Sequence, residues 1–327
     1  MTKKNVAVIM GGYSSEFEIS LLSGQVVCDS LSKEDYNVYK VHILKDKWVY
    51  VDGSEREFEV NKSDFSFSDG NNIIKPDVVF NAIHGTPGED GLLQAYFDLI
   101  EMPHSSCNYY QAALTFNKRD CLSVLKSYGV HCANAYYLNK GDEIIAEDII
   151  KKVGLPCFVK PSRAGSSFGI SKVKTIEELE PAIFKAYKED SEILIESCLV
   201  GTEVSVGVIE YKGEILVLPA TEIVSENEFF DYEAKYLGKS QEITPARIPE
   251  EERERVKAEA KRIYELLNMN GLSRSEFIIQ EGVPHFIEMN ANPGLSKESI
   301  IPKQAAAAGI SLEDLFGNLI EQAFTKK

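Results

Sequence analysis

The sequence predicts an α/β unit built on a parallel sheet, continued by α+β units, and three observations carry that prediction. Residues 6–10 form a β-rich apolar run that stops at Gly11-Gly12. Strand-like and helix-like segments then alternate, the pattern of a parallel sheet with helices on both faces. Past residue 196 the segments 203–210 and 214–219 alternate in polarity with no helix between them, which predicts antiparallel strands. The chain has 327 residues, 44% of them hydrophobic, enough for more than one core, and two or three domains are expected.

The elements follow in order. A helix over 16–30 succeeds the first strand, and residues 38–44 and 78–83 read as the next two strands. In such sheets ligands collect beyond the carboxyl ends of the strands, where Gly11-Gly12-Tyr13-Ser14 and residues 84–91 lie. The next stretch reads as helix 118–128, strands 156–160 and 170–173, helix 175–187 and strand 191–196. Residues 225–246 are polar, studded with aromatics and without period, which fits a functional lid better than an idle connector. Residues 250–269 carry Val256, Ala260, Ile263 and Leu267 on one helical stripe. Residues 277–279 and 283–289 form a hairpin around Glu281-Gly282.

The balance of 51 acidic against 35 basic residues gives a formal charge of −16, which disfavours nucleic acid and anionic membrane as partners. No apolar run approaches the ~18 residues of a membrane span, and the first one is too short for a signal peptide. The six cysteines sit singly, without C-x-x-C spacing, so they read as reduced thiols of a cytoplasmic protein.

Glu288 and Asn290 alternate on one strand and share a face, as a divalent metal requires of its oxygen donors. Glu276 lies on the partner strand. It joins that face only if the hairpin loop is odd in length or a bulge corrects the register. A solvated polar sheet face is the plainer reading of the three. The glycine- and serine-rich segment from Gly165 through Ser166 and Ser167 to Gly169 can present successive N–H groups to phosphate, with Lys160 as a nearby point charge. By itself it also fits an ordinary turn. Neither a Walker A loop nor a G-x-G-x-x-G fingerprint is present. Phosphate grip and metal pair together imply an enzyme that handles ATP. Glu16 reads either as first-turn dipole stabilisation, beside a Ser15/Glu18 capping box, or as a carboxylate for a substrate ammonium. Arg274 reads as a surface ion pair or a fork for a carboxylate, and His84 as a base or a hydrogen-bonded structural residue.

The chain resembles the D-alanine–D-alanine ligases of the ATP-grasp superfamily over nearly its whole length. The resemblance is carried by residues 11–20, His84-Gly85 with 88–91, 160–169, 231–236 and 288–294. It implies an N-terminal parallel-sheet, Rossmann-like domain (1–104) and two α+β domains (105–196 and 197–327) gripping ATP, with the lid at 225–246. It further implies that Lys118, Lys160, Ser167 and Lys235 bind ATP phosphates. Glu196, Ser197, Cys198 and Leu199 would form the hinge at adenine, Glu203 would take the ribose, and Phe229 and Ile287 would flank the base. Glu276, Glu288 and Asn290 would hold two Mg²⁺ ions, with Mn²⁺ as a substitute. Glu16 would bind the first D-alanine's ammonium within a triad with Ser166 and Tyr236, and His84 would touch that substrate's carboxylate. Arg274 and the Gly294 amide would stabilise the tetrahedral intermediate, and Ser299 and Ile300 would meet the second D-alanine. A homodimer is also implied.

Two departures stand out. Family members usually carry Asp where this chain has Glu276, and a Lys297-Glu298 pair sits beside the second-substrate position. Relatives that form D-alanyl-D-lactate have His in the lid, whereas this lid has Lys235-Tyr236 and no histidine. That favours the dipeptide over a D-lactate or D-serine product. The full set of metal ligands and Arg274 argues against a silent nucleotide-binding regulator, and the missing glycine fingerprint argues against a dehydrogenase.

Overall fold

The computed structural model describes residues 3–165, 168–225 and 240–325. The first sheet has seven strands in the order β6-β5-β4-β3-β2-β1-β7. These are β1 (Lys4–Gly11), β2 (Tyr36–Ile43), β3 (Trp48–Val51), β4 (Glu57–Asn61), β5 (Ser66–Ser68), β6 (Ile73–Ile74) and β7 (Val78–Asn81). Only β1, β2 and β7 are parallel, and β3 to β6 extend the sheet as antiparallel hairpins. The expected parallel sheet is present as β2-β1-β7, with an antiparallel extension. Its cause is local turn chemistry: Asp52 accepts the Ser54 and Arg56 N–H groups and Asp69 those of Asn71 and Asn72, each in an Asp-Gly-bearing turn.

Helix α1 (Phe17–Ser30) follows β1, and Glu16 is its N-cap residue. The Ser15/Glu18 capping box does not form, because the cap has no side-chain bond and the Glu16 N–H goes to Ser14 Oγ at 3.2 Å. Helix α2 (Leu92–Leu99) leads into α3 (Tyr109–Phe116) and α4 (Lys118–Ser127). A four-stranded antiparallel sheet follows, ordered β10-β9-β11-β8. Its strands are β8 (Ala135–Asn139), β9 (Cys157–Pro161), β10 (Ser171–Val173) and β11 (Glu192–Ser197), and α5 (Ala146–Val153) and α6 (Leu179–Ala186) pack on it around Ile149, Val159 and Ile183.

The third sheet contains β12 (Thr202–Tyr211), β13 (Glu214–Val217), β14 (Thr221–Ser225), β15 (Ser240–Ile243), β16 (Leu272–Gln280) and β17 (Val283–Asn290). One edge of β12 pairs with β16 and the other with both β13 and β14. The two ends of the expected 225–246 lid are thus strand rather than loop, β14 pairing with β15, while residues 226–239 lie outside the described residues. Helix α7 (Glu250–Leu266) buries Val256, Ala260 and Ile263 against one face, with α3 and α4 contributing Ala112, Leu122 and Leu125 to the same core. Helices α8 (Ile300–Ala307) and α9 (Leu312–Ala323) cover the other side and reach the first sheet. There Val8, Val78 and Phe80 share a core with Ile301, Phe316 and Leu319. The Phe80 and Phe316 rings meet edge-on with centroids 5.5 Å apart.

The β16–β17 register is the point on which the metal reading turned. Gln280 pairs with Val283, so the loop has two residues, Glu281 and Gly282, both at positive φ. Between Phe277↔Phe286 and Glu276↔Glu288 the register shifts, leaving Ile287 as the extra residue of a β-bulge. An even loop with regular pairing would have turned Glu276 away, and the bulge restores it to face Glu288.

Candidate active site

A cavity of about 260 Å³ opens where the three sheets converge. Glu16, His84 and Glu89 line it from the first domain, Lys118, Ala164 and Gly165 from the middle of the chain. Arg274, Glu288 and Asn290 enter from β16 and β17, and Gly294, Ser299 and Ile300 from the segment that starts α8. Sequence reasoning named most of these from segments more than 250 residues apart, and the fold brings them to one space.

The first-domain end is held by neutral hydrogen bonds. His84 is buried, and its Nδ1 lies 3.0 Å from the Asn292 carbonyl, which can only accept, so Nδ1 carries the proton. Its Nε2 then accepts from the Ser23 hydroxyl at 2.8 Å, and Ser23 Oγ accepts the Leu295 N–H at 3.2 Å. Burial holds the imidazole below its ordinary pKa, against the opposing pull of Glu16. Both ring nitrogens are engaged, which favours the hydrogen-bonded reading over a base. Asn292 closes the same junction by donating to the Ile83 carbonyl at 2.7 Å. Gly165 lies so close to Glu16 that a Cβ there would collide with its carboxylate. The glycine-rich segment therefore abuts the Glu16 carboxylate directly.

Glu89 is a cavity residue that the sequence reading quoted only as part of a motif. It is 6% exposed, and its Oε2 accepts the Gly85 N–H at 2.7 Å. Burial, then the charge of Glu16, pushes its carboxyl up to about 8. Ser23 and Asn292 were missed as well, because their partners lie from 61 to 272 residues away in sequence. The alternation of Asn290 with Asn292 was the one available signal.

The sheet face, by contrast, is ionic. Lys118 Nζ lies 3.0 Å from Glu288 and donates to the Ala164 carbonyl at 2.8 Å. Lys160 pairs with the buried Glu196 at 2.8 Å, and Arg274 with Glu276 at 2.7 Å. Burial alone would lower the Lys160 ammonium, but Glu196 first, then Glu288 and Glu203, more than offset it and the net direction is upward. The chain leading into Gly165 is anchored by Arg163, whose guanidinium grips Asp190 at 2.6 and 3.1 Å. The hinge is backbone-tied: the Ser197 N–H donates to the Asn134 carbonyl at 2.9 Å and the Cys198 N–H to that of Pro156 at 3.2 Å. Leu199 and Ile287 are half-buried. Hinge and Lys160 sit beyond the cavity lining rather than in it. Ser166, Ser167, Phe229, Lys235 and Tyr236 lie outside the described residues.

Glu276 and Glu288 face each other as strand partners, and Asn290 Oδ1 accepts the Asn292 N–H at 3.0 Å. Among the described residues no group of three or more His, Cys, Asp and Glu side chains could hold a metal. Two carboxylates and one amide oxygen nevertheless suit Mg²⁺, which takes few protein oxygens and completes its shell with phosphate and water.

A family model described as D-ala D-ala ligase N-terminus matches residues 5–107, and one described as D-ala D-ala ligase C-terminus matches residues 124–321. The D-alanine–D-alanine ligase of Flavobacterium johnsoniae is 67% identical over 318 residues, 97% of this chain and 98% of that protein. Among solved structures, the VanG D-Ala:D-Ser ligase from Enterococcus faecalis has a TM-score of 0.89 at 32% identity, covering 98% of this chain and 100% of that one. The D-alanine–D-alanine ligase from Bacillus anthracis complexed with ATP has a TM-score of 0.80 at 25% identity, covering 98% of each chain.

Proposed function

The chain belongs to the D-alanine–D-alanine ligase family, and on that premise we propose that its cavity joins two D-alanines with the cleavage of one ATP, making the dipeptide of peptidoglycan precursors. The observation that carries this reading is that Glu16, Ser299 and Ile300 line one cavity, with Lys118, Arg274, Glu288 and Asn290 also on its wall.

The first D-alanine's ammonium pairs with Glu16. Its carboxylate attacks the γ-phosphorus of ATP, forming a C–O–P bond as the bond to ADP breaks. Lys118 and Lys160 bind phosphate oxygens, and Arg274 stabilises charge as it develops. The second D-alanine's amine then attacks the acyl carbon, passes through a tetrahedral intermediate near Arg274 and the Gly294 amide, loses its proton, and expels inorganic phosphate. Glu276, Glu288 and Asn290 would hold Mg²⁺ or Mn²⁺, which when bound neutralises phosphate charge. His84 acts here as a positioning residue, since it ties the 83–85 loop to the Asn292–Leu295 segment. The reading includes a cytoplasmic homodimer with no nucleic-acid or membrane partner. It is supported by the acidic chain, by six free cysteines, and by the lack among described residues of a helix able to cross a membrane.

The test is ADP release with D-alanine, L-alanine, D-lactate and D-serine in turn, with the products identified by mass. D-alanine alone should support rapid turnover and yield D-alanyl-D-alanine. Release that does not depend on D-alanine, or that prefers D-serine or D-lactate as partner, would overturn the assignment.

A further inference from the structure

Helix α8 presents Ile300, Lys303 and Gln304 on one face, at i, i+3 and i+4. Gln304 is fully buried and fully used. Its amide nitrogen donates to the Ser205 carbonyl at 2.8 Å and to Thr221 Oγ1 at 3.0 Å, and its oxygen accepts the Gly207 N–H at 2.9 Å. A Cβ at Gly207 would stand 2.7 Å from that oxygen, so the helix approaches β12 as closely as a glycine permits. Thr221 Oγ1 also bonds Thr244 Oγ1 at 2.6 Å, and Ile300 packs against Ile223. The helix is thereby fixed against β12, against β14 and against the residue that follows β15.

On that fixed helix Lys303 Nζ lies 3.2 Å from Glu242 and 3.8 Å from Glu298. Both carboxylates line the cavity, on the same wall as Ser299 and Ile300. The Glu242 side chain is 19% exposed and that of Glu298 92%, so the Lys303–Glu242 pair dominates the field at this part of the cavity. An amino-acid acceptor arrives as a zwitterion whose carboxylate must settle here while its amine reaches toward the acyl carbon. The N-terminus of α8 favours that carboxylate, whereas Glu242 and Glu298 repel it.

We propose that Lys303 is a specificity-determining residue of the acceptor subsite: by pairing Glu242 and Glu298 it lets the cavity accept an amine that carries a carboxylate. This deepens the dipeptide reading and rests on Ser299 and Ile300 marking the acceptor end. Lys303 acts through the field, not by contact, so the effect depends on the acceptor's charge and weakens with salt.

The experiment sets D-alanine against D-alaninamide as acceptors for the same D-alanine donor, at low ionic strength, with both products quantified by chromatography. Lys303→Met shifts the product ratio toward the amide by about tenfold, the scale of one charge at several ångströms in a partly solvated site. Lys303→Arg keeps the wild-type ratio, and Lys303→Met with Glu242→Gln moves back toward it. Lys151→Met, an exposed charge deletion on α5 and outside the lining, leaves the ratio unchanged. Equal loss of both products in Lys303→Met, or no recovery on adding Glu242→Gln, overturns the proposal and leaves Lys303 a purely structural residue. If no variant takes the amide, the acceptor KM decides: a rise of about tenfold with unchanged donor KM supports the proposal, and an unchanged acceptor KM overturns it. A wild-type enzyme that makes no dipeptide refutes the underlying ligase reading instead, which keeps the two failures distinct.

Discussion

The two ends of the cavity are built on different principles. At His84 the hydrogen bonds are neutral and fix one tautomer: Asn292 carbonyl, imidazole, Ser23 hydroxyl, Leu295 amide. On the β16–β17 face the contacts are ion pairs, Lys118–Glu288 and Arg274–Glu276, with Lys160–Glu196 behind them. A neutral network in a buried place holds its geometry whether or not substrate is bound, because none of its members gains by leaving. An ion pair can exchange partners: a cation can move from carboxylate to phosphate, and the carboxylate to a metal. Under the proposed function the first-domain end is the ruler, and the sheet face the part that would rearrange around ATP.

The most severe way to break this contrast is Glu288→Ala, which removes the carboxylate that stands opposite Glu276 and pairs with Lys118. Turnover should fall by more than about 10³-fold and nucleotide binding, read by fluorescence titration, should weaken while far-UV circular dichroism stays native. Unchanged turnover would refute the reading of this face as the part that meets the nucleotide. Next come Arg274→Ala and Lys160→Ala, each expected to lower kcat by about 10²–10³-fold. Near-normal turnover in either would remove that residue from the chemistry.

Ser23→Ala sharpens the other side. It orphans the Leu295 N–H and leaves His84 Nε2 without its donor, so stability should drop by about 1–3 kcal/mol in denaturant melts. The donor-site KM should also rise. A variant as stable as the wild type would mean that the network is not what fixes this corner.

The smallest expected effects concern pH. His84 titrates below its ordinary 6.5 in the folded protein, so the unfolded chain takes the proton first. Its contribution is complete above pH 6.5 and is lost as pH falls toward the folded pKa. Glu89 has the opposite sign. Its folded value of about 8 stands above the ordinary 4.5, so its contribution is complete below pH 4.5 and eroded as pH rises to about 8. Glu89→Gln should therefore gain in Tm relative to wild type, and the gain should grow from pH 5 to pH 8. A constant difference across that range would show that Glu89 does not hold its proton in the fold.

The legible parts of this molecule were those written locally. The α7 stripe, the alternation of Glu288 with Asn290 and the need for a register correction at Glu276 all follow from periodicity and the pleat. Strands β3 to β6 were missed although Asp52-Gly53 and Asp69-Gly70 carry ordinary hairpin signals, because the short runs between them lack a sustained apolar alternation. The Ser23–His84–Asn292 junction was illegible for a different reason: it joins residues that no local pattern relates, and only the meeting of two sheets defines it. Glu242 escaped notice too, since a carboxylate in an aperiodic stretch gains meaning only when β15 sets it beside Lys303.

The core shared by β1, β7, α8 and α9 has a consequence for biosynthesis. A ribosome delivers Val8, Val78 and Phe80 more than 200 residues ahead of their apolar covers, Ile301, Phe316 and Leu319. Until those last helices emerge, one side of the opening sheet has only water or a chaperone to lie against. Segments far apart in synthesis thus mature as a single cooperative body, and the residues between them are made while that body is still half assembled.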